Sequence, residues 1–160
     1  MDKISLMELL QVKKLDKTEV RMLNPLKLAY VGDAVYEVYI RQYLINSINN
    51  SPSEMSKKAI KYVKASAQAK LVKGLQTYFT DEEWTFVKRG RNQKSNTVPK
   101  NAVLSDYKYA TGFEALIGYL YLIGEENRIV EIIAEGILYL ENLNQVQKTA
   151  IFSEVEDEEE

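Results

Sequence analysis

Leu28-Ala29-Tyr30-Val31-Gly32-Asp33-Ala34-Val35-Tyr36-Glu37, residues 28–37, sets a single central carboxylate, Asp33, among apolar neighbours. An acid in such a setting is costly to bury unless it is paired or metal-bound. Gly32 beside it costs about 1 kcal/mol relative to Ala inside a helix, which points to backbone passing close by. Downstream, Ala110-Thr111-Gly112-Phe113-Glu114-Ala115-Leu116-Ile117-Gly118-Tyr119-Leu120-Tyr121-Leu122 repeats the pattern of small residues and one carboxylate within an apolar run. Helices crossing at Gly32 and at Gly112 or Gly118 would bring Asp33 and Glu114 together. Taken singly, each acid also reads as a capping or packing feature. Glu37 lies one turn after Asp33 and reads as solvent-facing or salt-bridged. Tyr30 and Tyr36 read as core or dimer-interface residues no less than as ligands.

Outward from these motifs the periodicity is helical, and the expected fold is all-α with no sheet of note. A short amphipathic segment, Ile4–Leu10, precedes a long helix opened by Asn24-Pro25 and running to about Ile45, with Leu28, Val31, Val35, Val38 and Leu44 in its apolar spacing. The polar run 46–50 breaks it. Ser51-Pro52, with Glu54 at the third helical position, opens the next helix to about Lys73, with Ala59, Ile60, Val63, Ala67 and Leu71 inward. Thr80 and Glu83 form another capping-box pattern, opening a helix through about Gly90. Residues 91–104 lack a period and read as a long binding or gating loop. Helices follow from about Asp106 to Ile123 and from about Glu126 to Leu143. The domain reading is one helical domain, 1–149, and a disordered acidic tail, 150–160.

Composition narrows the chemistry. The 160 residues include no cysteine and no histidine, so thiolate chemistry and the usual zinc ligands are absent. Any metal site must use oxygen donors, which suits magnesium or manganese. The net charge of −2 hides a segregated pattern: residues 151–160 hold six of the 23 acids, and the body before them is net basic. Met55–Tyr78 carries Lys57, Lys58, Lys61, Lys64, Lys70 and Lys73 with no acid, and Trp84–Ser105 carries Lys88, Arg89, Arg91, Lys94 and Lys100 with none. Such stretches suit a polyanion, although charge runs of this size also occur as ordinary solvated faces. No apolar run is long enough to span a bilayer, and the N-terminus has no leader-like pattern, so neither membrane nor export is expected.

The two glycine-bearing motifs resemble those of the ribonuclease III catalytic domain, in its compact mini-ribonuclease III branch. LAYVGDAVYE is similar to the family's Leu-Glu-Phe-Leu-Gly-Asp signature, ATGFEALIGYLYL to its Phe-Glu-Ala-Leu-Ile-Gly-Ala segment, and RGRNQKSNTVPKN to the basic loop of the mini branch. The resemblance spans roughly residues 20–145. It implies a double-strand-specific endoribonuclease in which Asp33 and Glu114 are catalytic and bind Mg2+, with Mn2+ as a substitute, leaving 5′-phosphate and 3′-hydroxyl ends. Ala29 and Thr111 stand where the full-length enzymes carry two further acids, which puts a two-metal site in doubt. The resemblance also implies a cytoplasmic homodimer acting in maturation of precursor large-subunit (23S) ribosomal RNA, with a ribosomal protein as helper. The chain ends soon after the last core helix, so double-stranded RNA would be held by the catalytic body itself. Arg89, Arg91, Lys94 and Lys100, with Lys57, Lys61 and Lys64, are the candidate RNA-binding residues, and Tyr30 and Tyr36 the candidate dimer contacts. The alternative reading is a non-catalytic, ribosome-associated helical dimer that binds double-stranded RNA without cutting it.

Overall fold

The computed structural model describes residues 3–46, 51–94 and 98–158, with side chains described as far as Asn144. Every regular element among the described residues is an α-helix. They are α1 (Leu6–Leu9), α2 (Lys17–Arg21), α3 (Pro25–Ile45), α4 (Pro52–Val63), α5 (Ala65–Gly74), α6 (Asp81–Arg91), α7 (Leu104–Leu122) and α8 (Glu126–Glu158). None is long and apolar enough to cross a membrane.

The helix starts follow the local chemistry. Asn24 caps α3 by accepting from the Leu26 amide at 2.9 Å, with Pro25 in the first helical position. Ser51 with Glu54 and Thr80 with Glu83 form complete capping boxes on α4 and α6. An Asp16–Glu19 box builds α2, a helix not anticipated from the sequence. The single helix expected over 51–73 is two helices, because Lys64 takes an extended conformation (ψ 150°) between α4 and α5. Helix α8 runs on to Glu158, past the end expected near Leu143. The side chains of the proposed acidic tail lie outside those described, as do residues 47–50 and 95–97 of the expected loops.

Helix α7 is the axis of the core. Its residues Ala110–Phe113 and Ala115–Leu120 are all buried, with α3, α5 and α6 packed around it. Glycine decides how closely two of these helices approach. A Cβ on Gly32 would lie 1.7 Å from the Glu114 carbonyl oxygen, and one on Gly118 would lie 1.9 Å from that of Leu28, so α3 and α7 touch backbone to backbone. Gly90 and Gly112 do the same for α6 against α7, since a Cβ on Gly90 would lie 2.7 Å from the Gly112 Cα. The face of α3 turned inward is Leu28, Ala29, Gly32, Tyr36, Ile40 and Leu44. Val38 is exposed, contrary to expectation, because the glycine contact rotates the helix to put small residues against α7. Ile60 of α4 is likewise exposed rather than core.

Candidate active site

The α3–α7 crossing sets the two singled-out acids side by side. Of the alternatives left open by the sequence, Gly118 rather than Gly112 faces Gly32. Asp33 follows Gly32 on the open side of α3, while Glu114 sits deeper, part-buried on α7. Tyr36, one turn on from Gly32, locks the same crossing from below. Its ring meets Phe113 edge-on with centroids 5.1 Å apart, and its hydroxyl donates to the Tyr62 carbonyl oxygen at 2.9 Å. Tyr36 is only 1% exposed, so the structure corrects its assignment as a dimer contact: it has no surface to offer a partner. Tyr30, 83% exposed, has that surface.

Burial, followed by the nearby charge of Asp33, pushes the Glu114 carboxyl up to about 8, against a small opposing effect of a hydrogen bond from Gln68. Burial and then Glu37 raise Asp33 in the same direction. Glu37 itself is paired with Arg41 at 2.8 Å, as the sequence suggested. Two acids on separate helices, the charge of Asp33 raising the affinity of Glu114 for a positive charge, suit a divalent cation bound partly through water. Gln68, not singled out from the sequence, completes the surroundings: its Nε2 donates to Glu114 Oε1 at 3.2 Å. Its signal was present, since a polar residue between Ala67 and Ala69 on a core-facing helix poses the same question as Asp33. Among the described residues no group of three or more acidic side chains gathers, so the oxygen donors on offer are few. The hard, all-oxygen character of this small set fits magnesium or manganese.

The basic residues separate into two classes. Lys57, Lys61 and Lys64 are exposed along α4 and its junction with α5, and Lys94 and Lys100 are exposed on either side of residues 95–97. Arg91 is part-buried, its guanidinium 5.5 Å from the Tyr109 ring centroid, in a surface hollow shared with Ser105 and Lys108. Arg89 differs from all of these. Its guanidinium donates to the carbonyl oxygens of Arg21 and Leu23, at 2.8 and 3.3 Å, and lies against Phe86. Two of its five N–H donors tie α6 to the turn between α2 and α3.

Comparison with known proteins agrees with this architecture. Residues 26–125 match the family model of the ribonuclease III domain. The mini-ribonuclease 3 of Clostridium tetani is 47% identical over 130 residues, covering 81% of this chain and 86% of that protein. That of a Thermoanaerobacter species is 47% identical over 127 residues, covering 79% and 89%. A crystal structure of a protein from Fusobacterium nucleatum superposes with a TM-score of 0.65 at 34% identity, covering 74% of this chain and 94% of that one. With both glycine motifs inside the matched region and the all-helical fold shared, the chain belongs to the ribonuclease III family, in its mini-ribonuclease III branch.

Proposed function

We propose that this double-strand-specific endoribonuclease depends on magnesium, and that Asp33 and Glu114 hold the ion and carry the reaction. The observation that supports this most directly is the Gly32–Gly118 crossing, which brings two carboxyl groups from different helices to one place. When bound, the ion supplies activation of the attacking water and neutralisation of charge on the phosphate. Asp33, on the exposed side, meets the RNA backbone first, while Glu114 is held in a fixed orientation by its packing and by Gln68. Water attack then gives 5′-phosphate and 3′-hydroxyl ends. Lys57, Lys61 and Lys64 and the loop residues Arg91, Lys94 and Lys100 engage phosphates, as A-form RNA is read mainly through its backbone and shape.

The working form is a homodimer, so that two opposed sites cut the two strands. Leu26, Tyr30, Ala34 and Val38 support this as an exposed row of apolar and small side chains along α3, four residues apart. Maturation of precursor 23S ribosomal RNA in the cytoplasm, with a ribosomal protein as helper, is the biological role proposed from the branch. Asp33→Asn and Glu114→Gln test the central claim. Each should abolish single-turnover cleavage of a short RNA duplex in Mg2+, with circular dichroism and duplex affinity in Ca2+ preserved. Near-wild-type cleavage by either folded variant would remove these residues from the reaction. Absence of cleavage by the unaltered protein, with RNA binding intact, would instead support the non-catalytic alternative.

A further inference from the structure

The break at Lys64 has a consequence for Glu114. With ψ at 150°, Lys64 interrupts the helical ladder between α4 and α5 and frees the last carbonyls of α4. Two of these are taken up by side chains that reach the site. The Tyr62 carbonyl accepts from Tyr36, and the Val63 carbonyl accepts from Gln68 Nε2 at 2.8 Å. A carbonyl oxygen can only accept, so the Gln68 amide has one permitted orientation: nitrogen toward Val63, with its second N–H toward Glu114 Oε1 at 3.2 Å. Gln68 Oε1 is then left buried, with no hydrogen-bond partner among the described residues, in a side chain that is 2% exposed.

An unpartnered buried acceptor costs on the order of 1–3 kcal/mol. If Gln68 served packing alone, an apolar side chain of equal volume would avoid that cost. Ionised Glu114, the form that would hold a cation, does not explain the acceptor either, since a carboxylate has no proton to donate; only its protonated, metal-free form could. A hydrated divalent cation does, because the water molecules around it are strong donors. We propose that Gln68 is a positioning residue of the cation site, its amide anchored on the broken α4–α5 junction so as to hold Glu114 toward Asp33 and the ion. This rests on the two-carboxylate reading above. Residues that orient metal ligands typically change affinity or activity by about 10- to 100-fold when replaced.

The test is Gln68→Met, which keeps the length and volume of the side chain but removes the amide, with Gln68→Leu as a second apolar replacement and Asp33→Asn as a control. Mn2+ binding is measured by electron paramagnetic resonance without RNA, alongside the Mg2+ dependence of cleavage and duplex binding in Ca2+. The expected result for Gln68→Met is a rise of about tenfold or more in the Mn2+ Kd and in the Mg2+ midpoint, with RNA affinity unchanged. Wild-type Mn2+ affinity in Gln68→Met, with affinity lost in Asp33→Asn, would overturn the role of Gln68 and leave the two-carboxylate site standing. Wild-type affinity in both would overturn both. Should neither Gln68 variant fold, the unaltered protein decides: its Gln68 side-chain amide resonances must shift during a Mg2+ titration with the midpoint seen in cleavage, and unmoved resonances would overturn the proposal.

Discussion

A methyl group at residue 32 would stand 1.7 Å from the Glu114 carbonyl oxygen, 2.6 Å from its carbon and 2.7 Å from the Gly118 nitrogen. Ordinary contact begins at 3.4 Å, and all three atoms are backbone, so no side chain can swing aside. In Gly32→Ala the two helices must separate by roughly 1.5 Å at the crossing or bend. Overpacking of a core costs about 1–3 kcal/mol, and a rigid backbone contact belongs at the upper end. Replacing Gly by Ala within a helix returns about 1 kcal/mol. The net loss is about 2 kcal/mol, which for a chain of this size lowers Tm by roughly 4–8 °C. Catalysis should suffer more than stability does. Asp33 and Glu114 flank the same contact, and displacement by about 1 Å at a reacting centre can cost on the order of 100-fold. Thermal unfolding and single-turnover cleavage well below Tm measure the two effects on one preparation. Gly124→Ala is the control. Gly124 has φ +82° with nothing within 4 Å of the point where a methyl group would stand, so it should lose about 1 kcal/mol to strain and keep its cleavage rate. A Gly32→Ala protein with wild-type Tm and rate would refute the backbone contact that defines the site.

Three further outcomes are expected. Because Glu114 is held near 8 against an ordinary 4.5, the folded metal-free chain keeps a proton that the unfolded chain releases. This group's contribution to stability therefore falls as pH rises from about 4.5 to 8 and is level above that. Thermal unfolding of the metal-free protein from pH 5 to 8.5 should show this decline, and Glu114→Gln should flatten it; an identical slope in the variant would mean that Glu114 ionises normally. Arg128→Met should destabilise the chain by about 3–5 kcal/mol, because it strands the buried carboxylate of Glu83, now held by two 2.8 Å hydrogen bonds from the guanidinium. Chemical denaturation showing less than about 1 kcal/mol of loss would place that pair among exposed salt bridges. Finally, Lys94→Ala with Lys100→Ala should lower the salt dependence of duplex binding by roughly one unit of slope per lost phosphate contact. Arg89→Ala should lower Tm with little change in that slope, and the reverse pattern would return Arg89 to the RNA surface.

The fold was legible where local chemistry and long-range packing ask for the same residue. Asn24-Pro25, the Ser51 and Thr80 capping boxes and the apolar run of residues 110–122 each satisfy the backbone at the point where the chain also packs, so the helix starts were read closely. The inward face of α3 was harder. Apolar periodicity favours Val31, Val35 and Val38, whereas the observed face turns on Gly32, a residue with no hydrophobicity to register. A backbone-to-backbone crossing rewards the smallest side chain, and it rotates the larger valines partly or wholly outward. Tyr36 was misplaced for a related reason: a tyrosine reads as amphipathic until its hydroxyl is given a buried carbonyl, and that carbonyl, on Tyr62, is 26 residues away.

The site divides along the same line. Asp33 and Glu114 stand out because each is an acid inside an apolar helix, a local contradiction visible in one short window. Gln68 is an equal contradiction, but its meaning depends on Lys64, where a sequence of good helix formers nevertheless breaks. Nothing at Lys64 itself calls for the break; no proline or glycine lies between Met55 and Lys73. Its reason is tertiary. A straight helix over 51–73 would keep the Tyr62 and Val63 carbonyls in its own ladder, leaving Tyr36 and Gln68 without acceptors beneath the two carboxylates. The chain gives up local helical bonds at one residue and regains them as side-chain bonds that fix α3, α5 and α7 around Glu114. Exchanges of this kind leave no period and no motif in the sequence, because the residues that make them are joined only once the helices have met.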